Sequence, residues 1–235
     1  MNQDSTLHIP IQDRQAAGQA LVSYLRRYQR EPEALVLALP RGGVPVAYEI
    51  AVALELPLDV LMVRKLGVPF HEELAMGAIS SGGVRVLNTD VVRMHRIDEH
   101  TLDVVTQREL QELQRRESLY RGAHPLPSLR DRQVILVDDG LATGATMRAA
   151  VRVVRNQGAA RIVIAVPVAP KDTISELREE VDELVCPFVP VFFTAIGSWY
   201  TDFSQLTDRQ VITLLERAWQ RSTLEQSNAS AATEY

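Results

Sequence analysis

The sequence predicts an α/β fold built on a parallel sheet, and three observations carry that prediction. Short apolar runs without polar alternation recur at residues 34–39, 58–63, 134–137 and 161–168, as in strands buried on both faces. Between them lie longer segments with apolar residues at helical spacing. Gly and Pro punctuate the junctions. Strands alternating with helices imply parallel pairing through right-handed crossovers.

Residues 13–29 carry Ala17, Leu21, Val22, Tyr24 and Leu25 at helical spacing and read as a covering helix. Residues 34–39, ALVLAL, are the first buried strand, and 44–54 the helix after it. The second strand, 58–63, follows Pro57. A stretch rich in Gly, Pro and Glu comes next, with short strands expected near 76–79 and 84–87. Residues 98–120 form a long polar helix whose apolar positions are Leu102, Val105, Leu110, Leu113 and Leu119. The prolines of AHPLPSL (123–129) mark a loop before strand 134–137 and its helix, 147–154. Strand 161–168, helix 173–185 and a last strand at 190–196 complete the pattern. The final stretch, 221–235, is small and polar and is expected to be disordered. No internal repeat or linker divides the chain, so 1–235 reads as one domain with its core at roughly 13–215.

Composition narrows the function classes. The chain is 46% hydrophobic and 23% charged with a net charge of −5, which offers no electrostatic footprint for nucleic acid or an anionic membrane. Lys65 and Lys171 are the only lysines, so arginine carries nearly all positive charge. The single cysteine, Cys186, excludes an internal disulfide and fits a reducing compartment. With no leader pattern at the N-terminus and no apolar run of membrane-spanning length, the expected location is cytoplasmic.

The chemistry concentrates in residues 134–146, VILVDDGLATGAT. The apolar residues make a buried strand, and Asp138 and Asp139 stand at its carboxyl end, where open α/β sheets bind ligands. The small residues that follow lead into a helix, whose unpaired N–H groups and dipole suit a phosphate, with Thr143 and Thr146 as hydroxyl donors. The carboxylates would repel that phosphate; ionised, they accept hydrogen bonds from hydroxyls or hold a metal. A phosphate grip beside two hydroxyl acceptors describes a ribose 5-phosphate.

These thirteen residues resemble the PRPP-binding motif of type I phosphoribosyltransferases: four apolar residues, two acids, then a loop ending in T-G-x-T. LPRGGVPVA, VRKLG and GSWYTDFSQ occur with it in the order of a bacterial group of that family, so the resemblance covers roughly residues 13–215. It implies a five-stranded parallel core flanked by helices, plus a small hood built from the chain's ends. The implied activity is transfer of ribose 5-phosphate from PRPP to a nitrogenous base or related acceptor, with Mg²⁺ as cofactor and pyrophosphate released. A homodimer is implied as well. Asp138 and Asp139 would hold the ribose hydroxyls, directly or through the metal. Ala142, Thr143, Gly144, Ala145 and Thr146 would hold the 5-phosphate.

Arg41, Gly42 and Gly43 follow the first strand and resemble the family's pyrophosphate loop, in which the peptide before the basic residue is often cis; here that is Pro40–Arg41. Arg64 and Lys65, at the end of the second strand, are further pyrophosphate candidates. GVPFHEELAMGAISSGG occupies the place of the flexible catalytic loop, with Glu72, Glu73 and His71 as candidate proton carriers. In the hood segment Trp199, Tyr200 and Phe203 are candidates to stack on the base, and Asp202 to read an exocyclic amine. His95 and His100 lack the neighbours of a metal site, and Arg115, Arg116 and Arg121 read either as a solvated helix face or as a helix lying over the pyrophosphate. Ala142 stands where the hypoxanthine-guanine enzymes carry an acid, which weakens a 6-oxopurine acceptor and leaves adenine or another amine-bearing base open. A regulatory protein that binds PRPP or a nucleotide on the same fold, without chemistry, would use the same phosphate and ribose residues. The dinucleotide fingerprint and the P-loop are both absent.

Overall fold

The computed structural model describes residues 7–122, 124–125 and 127–233, excepting the side chains of Glu72, Glu73 and residues 224–233. Five parallel strands form the central sheet in the order β2-β1-β6-β7-β8. They are β1 (Ala34–Ala38), β2 (Leu58–Val60), β6 (Gln133–Val137), β7 (Arg161–Ala165) and β8 (Glu183–Val185). Strand β1 pairs with β6 in register from Ala34↔Gln133 to Ala38↔Val137.

The absence of polar alternation in these runs follows from burial on both faces. On β6, Ile135 and Val137 enter one apolar cluster and Val134 and Leu136 the other. The first cluster packs under α1 (Arg14–Leu25), α2 (Gly43–Leu54) and α7 (Asp208–Thr233); the second packs under α5 (Ala145–Asn156) and α6 (Lys171–Arg178). Chain direction sets the site: β1 continues through α2 to β2 on one side, while β6 continues through α5 to β7 on the other. The connections therefore diverge at the carboxyl ends of β1 and β6 and open a crevice there. Leu39 N–H donates to Val137 O at 2.9 Å and ties its two lips together.

A second sheet, antiparallel and three-stranded, joins β3 (Val63–Val68), β4 (His71–Ser80) and β5 (Arg85–Leu87). It packs against α4 (Glu99–Arg121) and α5, with the short α3 (Thr89–Met94) beside it. The pairing of β3 with β4 shifts register on both sides of Gly67, a bulge of the kind found beside binding sites.

Four sequence expectations need correction. The second strand ends at Val60, so Arg64 and Lys65 lie inside β3 rather than at a core strand's end. The stretch expected as a flexible loop is the β3–β4 hairpin, because the strands near 76–79 and 84–87 find partners in each other and in β3. The helix expected over 173–185 stops at Arg178, and residues 183–185 become the fifth strand in place of 190–196; Asp182 accepts from Ile162 N–H at 2.8 Å and draws this edge to the sheet. Finally, α7 continues to Thr233 across the expected disordered tail. Its Arg221 donates to the Ala51, Val52 and Leu56 carbonyls at the end of α2.

Candidate active site

The two motif carboxylates diverge. Asp138 is half-buried and lines a cavity of about 200 Å³ with Gly140, Ala142, Thr143, Gly144 and Thr146. Asp139, 7% exposed, turns to the protein instead. Its Oδ2 accepts from Arg14 Nε at 2.7 Å, and Arg14 in turn stacks 3.9 Å over the Phe203 ring and donates to Ser204 O. The Asp139 carbonyl accepts from the Tyr200 hydroxyl at 2.6 Å. A Cβ on Gly42 would collide with the Asp139 carboxylate, and one on Gly43 would sit 2.5 Å from Val137 O. Asp139 therefore fastens three parts of the crevice: the start of α1, the hood segment and the 40–43 loop. Of the two carboxylates expected at the ligand, Asp138 lines the loop cavity and Asp139 is engaged by Arg14.

Burial pushes the Asp138 carboxyl well above the usual carboxylate range, and the adjacent Asp139 adds to the rise. Burial also raises Asp139, against the pull of the Arg14 guanidinium. Among the described residues no group of three His, Cys, Asp or Glu side chains could hold a metal ion.

The loop after the carboxylates has the geometry of an anion grip. Gly144, at φ +69°, caps α5 in a left-handed conformation that a side chain would strain, and a Cβ there would also meet Thr173. The first intrahelical bond of α5 is Arg148 N–H to Gly144 O, so the N–H groups of Thr146 and Met147 have no backbone acceptor among the described residues. Thr143 and Thr146 are exposed at the mouth. Arg148 donates to Thr143 O at 2.6 Å and Thr173 to Ala142 O at 2.7 Å, which holds the loop from outside.

The expected pyrophosphate residues fall into two places. The Pro40–Arg41 peptide is cis. Arg41 donates to the Tyr120 hydroxyl at 3.2 Å and to Leu206 O, and pairs with Asp208 at 3.1 Å; Tyr120 itself donates to Asp208 at 2.5 Å. Arg64 and Lys65 line a separate cavity of about 360 Å³ with Arg108, Glu109 and Thr146. Tyr120 and Glu109 stand eleven residues apart on α4, about 16 Å along its axis, so one small anion does not span both places. Arg108 and Glu109 escaped the sequence reading because a charged helix face looks the same solvated or occupied.

Glu72 and Glu73 fall on β4, but their side chains lie outside the described residues. His71 sits at the exposed hairpin tip, edge-on to His95. Tyr200, expected to stack on the base, is 7% exposed in the core with its hydroxyl on the Asp139 carbonyl. Trp199 is half-buried, edge-on to Phe188 at 5.1 Å. Of the hood side chains, Ile196 reaches the loop cavity.

Comparison with known proteins agrees with this geometry. The family model described as "Phosphoribosyl transferase domain" matches residues 10–197. Two proteins provisionally named as phosphoribosyl transferases, from two strains of Mycobacterium tuberculosis, are each 48% identical over 206 residues, which are 88% of this chain and 46% of the relative. The chain thus spans about half the length of these relatives. A crystal structure of a Thermus thermophilus protein superposes with a TM-score of 0.79 at 40% identity, covering 87% of this chain and 96% of the other. With the parallel core, the divergent crevice and this loop in place, the chain belongs to the type I phosphoribosyl transferase family.

Proposed function

We propose that this chain transfers the ribose 5-phosphate unit of PRPP to a nitrogenous base or related amine and releases pyrophosphate. One observation carries the reading: Asp138 and the 140–147 loop line the same cavity at the N-terminus of α5. A phosphate among the N–H groups of that loop sets its ribose beside the one motif carboxylate that faces the cavity. The acceptor nitrogen then bonds to C1 as the C1–O bond breaks, its electron pair leaving with the diphosphate and the nitrogen's proton lost. The transition state is oxocarbenium-like, so the protein's task is to hold both ends and stabilise developing charge.

Mg²⁺ keeps few protein ligands and takes substrate phosphates besides. Asp138 with ligand oxygens suits it; Asp139, bound to Arg14, does not. When present, the ion would screen the leaving diphosphate. The motif's Ala142 supplies no base for the acceptor's proton, consistent with adenine or another amine-bearing acceptor.

Calorimetry of PRPP with and without Mg²⁺, on wild type and Asp138→Asn, tests the site. Loss of one charge-assisted contact weakens binding about ten- to a hundredfold. Absence of binding to wild type sinks the reading. A second reading, a PRPP- or nucleotide-binding regulator, is favoured by one fact: Asp138 is the only titratable side chain lining the loop cavity among the described residues. Pyrophosphate release across a panel of bases separates enzyme from regulator.

A further inference from the structure

The 40–43 loop faces two ways. Its glycines pack on Asp139 and on the β6 backbone at the crevice, yet its one charged side chain is directed to α4 and α7. Arg41 is not among the residues that line the loop cavity or the cavity beside the hairpin. Its Nε donates to the Tyr120 hydroxyl at 3.2 Å and stands 3.1 Å from Asp208 Oδ1, and its Nη1 donates to Leu206 O at 3.1 Å. Tyr120 donates to the same Asp208 oxygen. Burial raises the Tyr120 phenol and the bond to Asp208 adds to the rise, so this hydroxyl keeps its proton as a donor. Tyr120 is 4% exposed, and Asp208 opens α7, whose first turn is fixed by a reciprocal cap: Gln210 Oε1 accepts from Thr207 N–H and Thr207 Oγ1 accepts from Gln210 N–H. The partners that hold Arg41 are therefore rigid, and one of them is an anion. A ligand phosphate that seeks this guanidinium meets a carboxylate already on it.

We propose that Asp208 and Tyr120 form a latch on Arg41, positioning it away from the crevice until a diphosphate displaces the carboxylate, so that the first turn of α7 is coupled to occupancy of the site. The latch rests on the phosphoribosyl reading, in which Arg41 serves the diphosphate. Neither Tyr120 nor Asp208 need touch the ligand.

The test is calorimetry of pyrophosphate, PRPP and ribose 5-phosphate on wild type, Asp208→Asn, Arg41→Ala and the double variant. Both side chains are about two-fifths exposed, so neither substitution removes core packing. The expected result is pyrophosphate and PRPP binding about two- to fivefold tighter in Asp208→Asn, the worth of a half-exposed ion pair, with ribose 5-phosphate affinity unchanged. Arg41→Ala should weaken both diphosphates, and in that background Asp208→Asn should change nothing. The last comparison is decisive, because removing a negative charge near any anion site favours binding through the general field. A gain that persists without Arg41 is that field, and overturns the latch. Weaker or equal diphosphate binding in Asp208→Asn also overturns it, the first because Asp208 would then present Arg41 to the ligand. If Arg41→Ala binds as wild type does, the latch falls while the phosphoribosyl reading survives. If wild type binds neither ribose 5-phosphate nor PRPP, that reading falls. Pyrophosphate then decides the latch by the same comparisons, and no binding of it overturns the latch too.

Discussion

The crevice between β1 and β6 and the β3–β4–β5 lobe are held by different forces. In the crevice, Arg14, Tyr200, Gly42 and Gly43 close on one buried aspartate and on the backbone of β6. The lobe shares the main core with α4 through buried Leu66, Met76 and Ile79 and α4's Leu102 and Leu113, and adds at its rim the ion pairs Arg64–Glu109 and Arg85–Asp103. Its hairpin tip leaves Phe70 99% exposed and the adjoining α3 leaves Met94 78% exposed. Buried contacts keep their strength in salt, whereas exposed charge pairs are screened. The crevice therefore rests on buried contacts, while the rim of the lobe carries the pairs that salt can screen. The cavity lined by Arg64 and Glu109 lies on the seam between them.

Asp139→Ala should have the largest effect. It strands Arg14, whose side chain is 12% exposed, without its carboxylate, and removing one partner of a buried pair costs about 3–5 kcal/mol. Urea unfolding measures it; a loss below about 1 kcal/mol would mean that Asp139 is no keystone. Gly43→Ala comes next, because the colliding atoms belong to the β6 backbone and cannot swing aside; overpacking of this kind costs about 1–3 kcal/mol. Asp138→Asn sharpens the contrast between neighbours, with stability nearly unchanged while PRPP binding falls. Equal stability losses for the two aspartate variants would erase the distinction.

A smaller effect is expected from pH. Burial pushes the Cys186 thiol from 9.0 up to about 12, and burial likewise raises the Tyr200 phenol. A proton held more tightly when folded stabilises the chain below the unfolded pKa, and that contribution is lost as pH rises towards the folded one. Stability should therefore decline between pH 9 and about 12, and Cys186→Ala should flatten part of the decline. Urea midpoints at alkaline pH for both proteins give the answer; identical slopes would remove the thiol as a cause.

What could be read in the sequence depended on how far apart the interacting residues lie. Residues 134–137 show their doubly buried state in four consecutive letters, and the phosphate loop follows directly. Strand β8 is three residues long and includes Glu183, so no apolar run announces it. The role of Asp139 is set by Arg14, 125 residues away, and no local pattern records that pairing. Tyr200 looks like a ligand-stacking aromatic until its hydroxyl is found on the Asp139 carbonyl. Glu109 lies among other charged residues of a polar helix, and only the fold of β3 onto α4 separates it from a solvated face.

Arg85→Ala carries the smallest expected effect and tests the lobe side of the comparison. Arg85 donates to Asp103 at 2.8 Å and reaches Thr106 at 3.4 Å, with side-chain exposures of 34% and 58% across the ion pair. A pair so exposed contributes about 0.2–1 kcal/mol, and less in salt. Global unfolding should barely register its loss. Hydrogen exchange is the more sensitive measurement, because local opening of the lobe needs less free energy than unfolding of the core. Faster exchange confined to β4 and β5, enhanced by salt in wild type, is the expected pattern. Slow exchange there, equal to that of β1 and β6 and indifferent to both salt and the substitution, would show that the lobe is as firmly built as the crevice and that its apolar contacts, not its ion pairs, hold it.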